Sequence, residues 1–326
     1  MLKLDKYLID NFFKSFFTLF SVLFIIASMV LLLTISNMTA VLKITMNEFL
    51  YLYVLSLPEI IFYTLPLTFF ITAAISISKL FENSELIMVL SLGISPKKII
   101  KPFLYIASSI TFLLLVITFL SIPTSNILFK NFINIKKTES QFNLMPSSIG
   151  QKLGDWNVFI KNKNKNTYNN IILYNPKKDI LIFANKAKTY KKNNYFVLNL
   201  QNGMLYQSKN EKLLKMKFNT LNINQQISIT NISFNSILEY IKKYKYKTNK
   251  YFIIAFFPLI GFLFLASISF FHNRYQKNHS IIYAMIISIA YYALVFISFK
   301  KLYAIAIIIP IFVLIALFLN KRIKQF

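Results

Sequence analysis

The chain has 326 residues, of which 56% are hydrophobic and only 15% are charged, yet its formal net charge is +26. Such a composition is too apolar for an ordinary soluble domain. The chain contains no cysteine, which excludes disulfides and thiolate metal sites, and its two histidines have few carboxylates near them in sequence, so no metal site is expected.

Six apolar stretches are each long enough to cross a hydrocarbon core of about 30 Å as a helix that rises about 1.5 Å per residue. Inside a bilayer such stretches must be helical, because no water is present to satisfy their backbone groups. The sequence therefore predicts six transmembrane helices. They cover residues 14–36, 49–78, 102–125, 251–271, 280–299 and 302–320.

Lysine and arginine in the short loops predict the orientation, since cytoplasmic loops carry the excess of these residues. If the N-terminus is cytoplasmic, twelve basic residues lie inside, and only Lys43, Lys300 and Lys301 lie in short outer loops. We therefore expect both termini in the cytoplasm and the long segment 130–248 outside. Three domains follow: helices one to three over 1–129, the outer segment over 130–248, and helices four to six over 249–326.

The outer segment has a different pattern, in which apolar clusters alternate with polar turns at roughly ten-residue spacing. This pattern predicts a small antiparallel sandwich or roll. The apolar clusters are Trp156–Ile160, Ile171–Tyr174, Ile180–Ala184, Tyr195–Leu200 and Leu213–Leu221. We expect turns at 175–179, at 191–194 and near Gly203.

The loop between the second and third spans predicts a short apolar helix at about 82–95. Asn83 or Ser84 can cap it, Glu85 in its first turn is favourable against the helix dipole, and Gly93 suits the residue that ends it. One interpretation is an interfacial helix that lies on lipid. The other is a coupling helix that fits a groove of a cytoplasmic partner, with apolar anchors and one acidic contact.

Several motifs on the second span and this loop occur together in a fixed order and spacing. They are Leu57–Glu59, Leu65–Leu67, Lys79–Leu80, Ser84–Leu86 and Gly93–Ser95. In these motifs the chain resembles the permease subunits of the lipopolysaccharide export ABC transporter, the LptF/LptG family. The layout of six spans with a β domain after the third extends the resemblance over the whole chain. The pair Pro58-Glu59 resembles the F-type partner slightly more than the G-type.

The resemblance implies a half-transporter in the bacterial inner membrane. A second homologous permease would pair with the chain around a cavity that takes lipopolysaccharide from the outer leaflet. A cytoplasmic ATPase dimer, which holds ATP and magnesium, would supply the power, so the chain itself would bind no cofactor. The β domain would be periplasmic and jellyroll-like, and it would pass the lipid to a periplasmic bridge protein.

The same resemblance assigns ATPase coupling to the loop helix, because Glu85 stands where the family has its coupling glutamate. The residues implied around this contact are Ser84, Leu86, Met88, Leu90 and Gly93.

Four residues are candidates for contact with the cavity or the lipid. Glu59 is either an acid at the water interface or a gate or pairing residue that faces the cavity. Lys43 could pair with a lipid phosphate, or it is an ordinary loop lysine. Pro58 and Pro66 could kink the second span and shape a lateral opening. Family members commonly carry basic residues in the outer half of the first span, whereas 31–42 has none.

No catalytic machinery is expected, since the five glycines form no phosphate-binding loop. Segment 130–250 carries 22 lysines against five acids, which fits a solvated surface or attraction of an anionic glycolipid, and no nucleic-acid fold signature accompanies it. The alternative function is a membrane-anchored sensor or assembly protein whose outer β domain binds a partner. A self-sufficient secondary transporter is disfavoured by the scarcity of ionisable residues in the spans.

Overall fold

The computed structural model describes residues 3–42, 44–143, 145–146, 151–164, 167–209, 212–269, 279–298 and 304–321. Before the sheet lie α1 (Lys3–Leu42), α2 (Met46–Glu82), α3 (Glu85–Ser91), α4 (Pro96–Val116), a π-helical turn (Ile117–Ser121) and α5 (Ile122–Phe142). The strands are β1 (Gln151–Leu153), β2 (Trp156–Asn164), β3 (Thr167–Asn175), β4 (Ile180–Lys192), β5 (Tyr195–Lys209) and β6 (Lys212–Gln226). After the sheet lie α6 (Phe234–Lys243), α7 (Lys245–Ala255), α8 (Phe257–Ser269), α9 (Ser280–Ser298) and α10 (Ala304–Lys321).

Within the described residues, five helical segments are long and apolar enough to cross a membrane by length and composition, and they match the first five predicted spans. They are Lys3–Met38, Met46–Glu82, Lys98–Phe142, Lys245–Leu265 and Ser280–Ile297. The helix α10 lies at the sixth, but part of 302–320 falls outside the described residues, so the number six stays a prediction. The fold class, a membrane helical protein with an inserted antiparallel β domain, is confirmed.

The chain forms two compact units. The helical unit contains 1–35, 51–126 and 232–326, and the second unit contains 36–50 and 127–231. Within the predicted outer segment 130–248, the strands occupy only Gln151–Gln226, and helices form both of its ends. The division into three functional domains stays a prediction.

The core of the helical unit is built around α2. In the most apolar stretch of α2, 72% of the residues are buried, against 6% for α1. Small side chains such as Ala73 and Ala74, both fully buried, let neighbouring helices approach closely. The hydroxyl of Thr68 is satisfied within the helix, because it donates to the carbonyl of Thr64 at 2.7 Å. Most of α1 therefore depends on lipid or on another chain for its cover.

The second unit contains one six-stranded antiparallel sheet whose order is β1-β2-β3-β4-β5-β6. Each predicted apolar cluster lies within one of the strands β2 to β6. The sheet confirms the expected antiparallel β domain, and the jellyroll-like form that the family resemblance implies stays a prediction. Only two to four residues separate each strand from the next in the chain, so the strands follow one another in the up-and-down order of a meander.

Two of the three expected turns are confirmed. At 175–179, the side-chain Oδ1 of Asn175 accepts the backbone N–H groups of Lys177 and Lys178 at 3.0 and 3.2 Å, and Asp179 has φ 48°. This is the side-chain-stabilised turn that asparagine favours. At the end of β4, Asn193 has φ 50° in the turn that leads into β5.

The turn expected near Gly203 is wrong, because β5 runs through this residue without a break. Gly203 pairs with Ala184 on one side and Phe218 on the other. A Cβ atom at this position would lie 2.2 Å from the carbonyl oxygen of Phe183 and 2.3 Å from the ring of Phe218. Glycine is therefore required here because a neighbouring backbone and an aromatic ring approach closely, and not because the chain turns.

A row of five mostly asparagine residues crosses the sheet from β2 to β6, and we call this row the crease. Each ladder skips one position here, and the pairs on either side place the skipped residues opposite one another: Lys161, Asn170, Asn185, Asn202 and Asn219. Asn170 and Asn202 have φ 52° and 53°. Asparagine tolerates this left-handed conformation better than most residues, which explains its use at these two positions.

The crease shifts the buried face of β3 and of β4 by one residue. In β4, Ile182 and Ala184 are buried, two exposed residues follow, and Ala187 is buried next. In β3 the same step of three residues separates buried Tyr168 from buried Ile171. Because all five belong to one apolar cluster, the crease lets both halves of the sheet cover a single core.

Candidate functional site

The predicted loop helix is present as α3, which has seven residues and lies between two breaks in the helical backbone. Ser84 occupies the N-cap position with φ 58°, but its side chain makes no capping hydrogen bond. Gly93 has φ 79°, and its N–H donates to the carbonyl of Leu90 at 3.0 Å. The glycine therefore ends the helix as predicted, in the left-handed conformation that favours this residue.

The carboxylate of Glu85 is held from both sides within the chain. The hydroxyl of Tyr7 donates to Oε2 at 2.8 Å, and the amide of Asn83 donates to Oε1 at 3.1 Å. Hydrogen bonds to a charged acceptor are stronger than neutral ones. Glu85 thus connects α3 to the beginning of α1 and is presented in a fixed orientation.

The two sides of α3 differ in burial. Leu86 is 2% exposed and lies over a small cavity of about 40 Å³, whose lining includes Leu80 and Ile99. On the other side, Met88 is 59% exposed, and Leu92 just after the helix is 78% exposed. Leu90 is half-buried. Leu86 therefore anchors the helix, Val89 and Leu90 pack partly against the same core, and Met88 and Leu92 stay uncovered.

Glu59 lies in a polar cluster between α2 and α7. The hydroxyl of Tyr251, which is 2% exposed, donates to Oε1 of Glu59 at 2.6 Å. The ammonium group of Lys250 lies 5.1 Å from the ring centre of Tyr63 and 4.5 Å from that of Phe296 on α9, close enough for cation–π attraction. Glu59 is thus hydrogen-bonded to a residue of another helix, and its role as a gate or pairing residue, or as an acid at the water interface, stays a prediction.

Tyr240 on α6 extends the electrostatic environment of this cluster. Burial, together with the negative charge of Glu59 and the neighbouring Tyr244, raises the pKa of Tyr240 to about 12. The phenol therefore keeps its proton at neutral pH.

The other predicted lipid or cavity residues are placed only in part. Lys43 lies outside the described residues. Pro58 and Pro66 both lie inside α2, which continues through them as one helix, and Pro66 is buried. Each proline leaves the carbonyl four residues earlier without its helical donor. Their role in a lateral opening stays a prediction.

The predicted residues thus fall into two separate groups in the helical unit. The group around Glu85 contacts the start of α1, and the group around Glu59 contacts α7. Sequence reasoning missed Tyr7 and Tyr251, which lie 78 and 192 residues from their acidic partners. No periodic pattern could have indicated either pair.

A second feature missed by sequence reasoning is a polar cavity of about 430 Å³ within the second unit. Its lining includes Lys136, whose ammonium lies 2.7 Å from Oε1 of Glu48 and 3.0 Å from Oε2 of Glu139. It also includes Lys163, which donates to the side-chain oxygen of Asn143 at 2.8 Å. Both lysines are thus already paired inside the chain. In the part of the chain that the structure describes, no group of three or more His, Cys, Asp or Glu residues could hold a metal ion.

These features define a multi-pass membrane protein that combines an apolar loop helix, tied to the first span, with an inserted antiparallel sheet. A family model described as lipopolysaccharide export system permease LptF/LptG matches residues 6–320. The chain therefore belongs to the LptF/LptG family, and the match leaves the F and G types unseparated. No individual curated protein matches the chain. Membership makes the chain a transporter component and, with its apolar helices, a multi-pass inner-membrane protein.

Proposed function

We propose that the chain is one of two permease subunits of an ABC transporter that extracts lipopolysaccharide from the inner membrane. The observation that carries this proposal is the family match over residues 6–320. ATP and magnesium are bound by a cytoplasmic ATPase dimer, both termini of the chain are cytoplasmic, and the sheet is periplasmic. The loop motifs around Glu85, together with the family match over residues 6–320, favour this function over a sensor or assembly protein.

The helix α3 is the contact with the ATPase in this proposal. Met88 and Leu92 supply exposed apolar side chains of the kind that anchor a helix in a groove. A carboxylate has about four lone-pair sites, so Glu85 can accept a bond from the ATPase while it keeps Tyr7 and Asn83. Movement of α3 would then be transmitted to α1 through Tyr7, would rock the second and third spans, and would narrow the cavity.

A second permease covers the apolar surface that this chain leaves exposed. Only 6% of the most apolar stretch of α1 and 28% of that of α9 are buried. Leu33 on α1 is 69% exposed, and Ile289 on α9 is 68% exposed. Two such helices suit a pair of permeases around a lipid cavity. Glu59, Lys43, Pro58 and Pro66 are proposed to line or shape this cavity.

The last strand of the sheet is the proposed contact with the periplasmic bridge protein. The strand β6 has 15 residues and is an edge strand of the sheet. Leu213 and Met216 on it are 71% and 62% exposed. A long edge strand with unpaired backbone groups can accept a strand from another protein, which gives the lipid a continuous surface to follow.

The test is affinity purification of the tagged chain from detergent-solubilised membranes. We expect an ATPase and a second permease to co-purify with the wild type, and Glu85→Lys to release the ATPase while it keeps the second permease. The control is Glu239→Lys, the same charge change at an exposed position of α6, on the predicted opposite side of the membrane. It should retain both partners. Absence of an ATPase from the folded wild-type complex would contradict the proposal.

Tyr7→Phe separates two roles of Glu85 in the same assay. This variant removes the hydrogen bond to Oε2 but leaves the carboxylate in place. If Glu85 must be oriented by α1, the variant loses part of the ATPase. If the ATPase is retained in full, orientation by Tyr7 is not needed, and the charge alone makes the contact.

A further inference from the structure

A cavity of about 860 Å³ lies between α1 and α4 in the helical unit. Its size is within the range of about 300–1,000 Å³ that is typical of ligand pockets. The walls are mostly apolar and aromatic, and they include Phe13 and Phe16 from α1 and Tyr105, Ile106 and Ile110 from α4. We call this cavity the α1–α4 groove.

The charged residues of the groove are concentrated at one end. Lys98 and Lys101 stand in the first two turns of α4, and Asp5 stands in the first turn of α1. Two lysines against one aspartate leave this end with a net positive charge. The ammonium group of Lys101 lies 6.0 Å from the ring centre of Tyr105, so its position is supported by an aromatic neighbour of the groove.

The length of the groove corresponds to one leaflet of a membrane. From Lys98 to Ile110 the helix rises about 18 Å, at about 1.5 Å per residue. Half of a hydrocarbon core is about 15 Å. Lysines at one end and aromatic and aliphatic side chains along the rest thus match a headgroup followed by acyl chains. A transmembrane helix of another protein would need a groove of about twice this length.

We propose that the α1–α4 groove binds one anionic phospholipid from the leaflet that faces Lys98. The lipid phosphate lies at Lys98 and Lys101, and an acyl chain lies against Phe13, Phe16 and Ile106. In the predicted orientation this is the cytoplasmic leaflet, opposite to the one that supplies the exported glycolipid. The bound phospholipid is therefore a resident lipid that covers part of α1, a helix with little cover from its own chain.

This inference depends on the chain being embedded in a membrane and not on its transport activity. The lipid-binding proposal can therefore be wrong although the ATPase co-purifies, and it can be right although no ATPase is found. The occupants to be distinguished are the phospholipid, a free phosphate ion and a helix of another protein.

The test is native mass spectrometry of the purified chain in detergent micelles with equal amounts of phosphatidylglycerol and phosphatidylcholine. We expect the wild type to retain one phosphatidylglycerol in preference to phosphatidylcholine. Each lysine near a headgroup should raise the preference for the anionic lipid about fivefold. The double variant Lys98→Ala/Lys101→Ala should therefore lower this preference about 25-fold. Ser109→Trp, which fills the apolar part of the groove without a charge change, should lower the retention of both lipids.

The matched control is Lys79→Ala, an exposed lysine at the end of α2 that does not line the groove. It should leave the preference unchanged, and circular dichroism should show equal helix content in all variants. An equal effect of Lys79→Ala, an unchanged preference in the double lysine variant, or displacement of the lipid by inorganic phosphate would overturn the proposal. So would a second protein chain bound in place of the lipid and released by Ser109→Trp.

Discussion

Replacement of Gly203 by alanine should destabilise the β domain more than replacement of Gly154, the other glycine of the sheet that the structure describes. The added Cβ would lie 2.2 Å from the carbonyl oxygen of Phe183, which is 1.2 Å short of the 3.4 Å at which ordinary contact begins. The ring of Phe218 can rotate away, but the oxygen of Phe183 belongs to the backbone of β4. The clash with this oxygen can therefore be relieved only if β4 and β5 move apart next to the crease.

The size of the effect follows from two contributions. Overpacking that forces a backbone shift costs about 1–3 kcal/mol, and a weakened ladder hydrogen bond adds about 0.5–1.5 kcal/mol. We therefore expect a loss of about 3 kcal/mol in the free energy of unfolding. For a domain of this size, such a loss lowers the unfolding temperature by on the order of 10–20 °C.

The only tryptophan of the chain makes this measurable in the full-length protein. Trp156 lies on β2 and packs against the core of the sheet, so its fluorescence reports the second unit alone. Thermal unfolding of Gly203→Ala would be compared with that of Gly154→Ala. Gly154 has φ 60°, and its nearest neighbour is the flexible end of Gln225 at 3.1 Å, so only the backbone penalty of about 1–2 kcal/mol applies there. If Gly203→Ala unfolds at the wild-type temperature, or no lower than Gly154→Ala, the close-approach argument is refuted.

Three further predictions concern the contacts described above. Tyr251→Phe removes a hydrogen bond to the charged Glu59 and should lower the stability of the helical unit by about 1.5–3 kcal/mol, measured by thermal unfolding in detergent with circular dichroism. Asn170→Ala, at φ 52°, should lower the free energy of unfolding of the sheet by about 1 kcal/mol, measured by Trp156 fluorescence. Asn185→Ala, in the same row at a negative φ, should change it by no more than about 0.5 kcal/mol. Equal losses in the two variants would contradict the conformational role given to the crease. Leu173→Ala, at a fully buried position, should cost about 2–5 kcal/mol in the same assay, and a loss below 1 kcal/mol would show that the site is not a packed core.

The features that the sequence predicts well are local. The length of each apolar stretch predicts the spans, and alternating clusters predict the strands β2 to β6. The turn chemistry around Gly93 and Asn175 predicts a helix end and a hairpin, because one residue and its own backbone decide both.

The features that the sequence does not predict involve contacts between distant elements. Nothing in the pattern around Glu85 indicates Tyr7, and nothing around Glu59 indicates Tyr251. Gly203 was misinterpreted because a glycine between two apolar stretches looks the same whether it makes a turn or admits a neighbouring backbone. The strand order is likewise left open by the sequence pattern, because alternation within each strand does not say which strands pair.

The crease constrains how many residues each strand contains more strictly than it constrains which residues they are. Deletion of one residue at Asn170 or Asn202 would restore strict alternation along that strand alone, while the neighbouring strands would keep their step of three residues, so the pairing beyond the crease would slip by one residue. A deletion in the turn at 175–179 would change only the length of a connection. Over evolutionary time, the surface of this sheet can therefore change its side chains widely, while insertions and deletions are tolerated only in the hairpin turns.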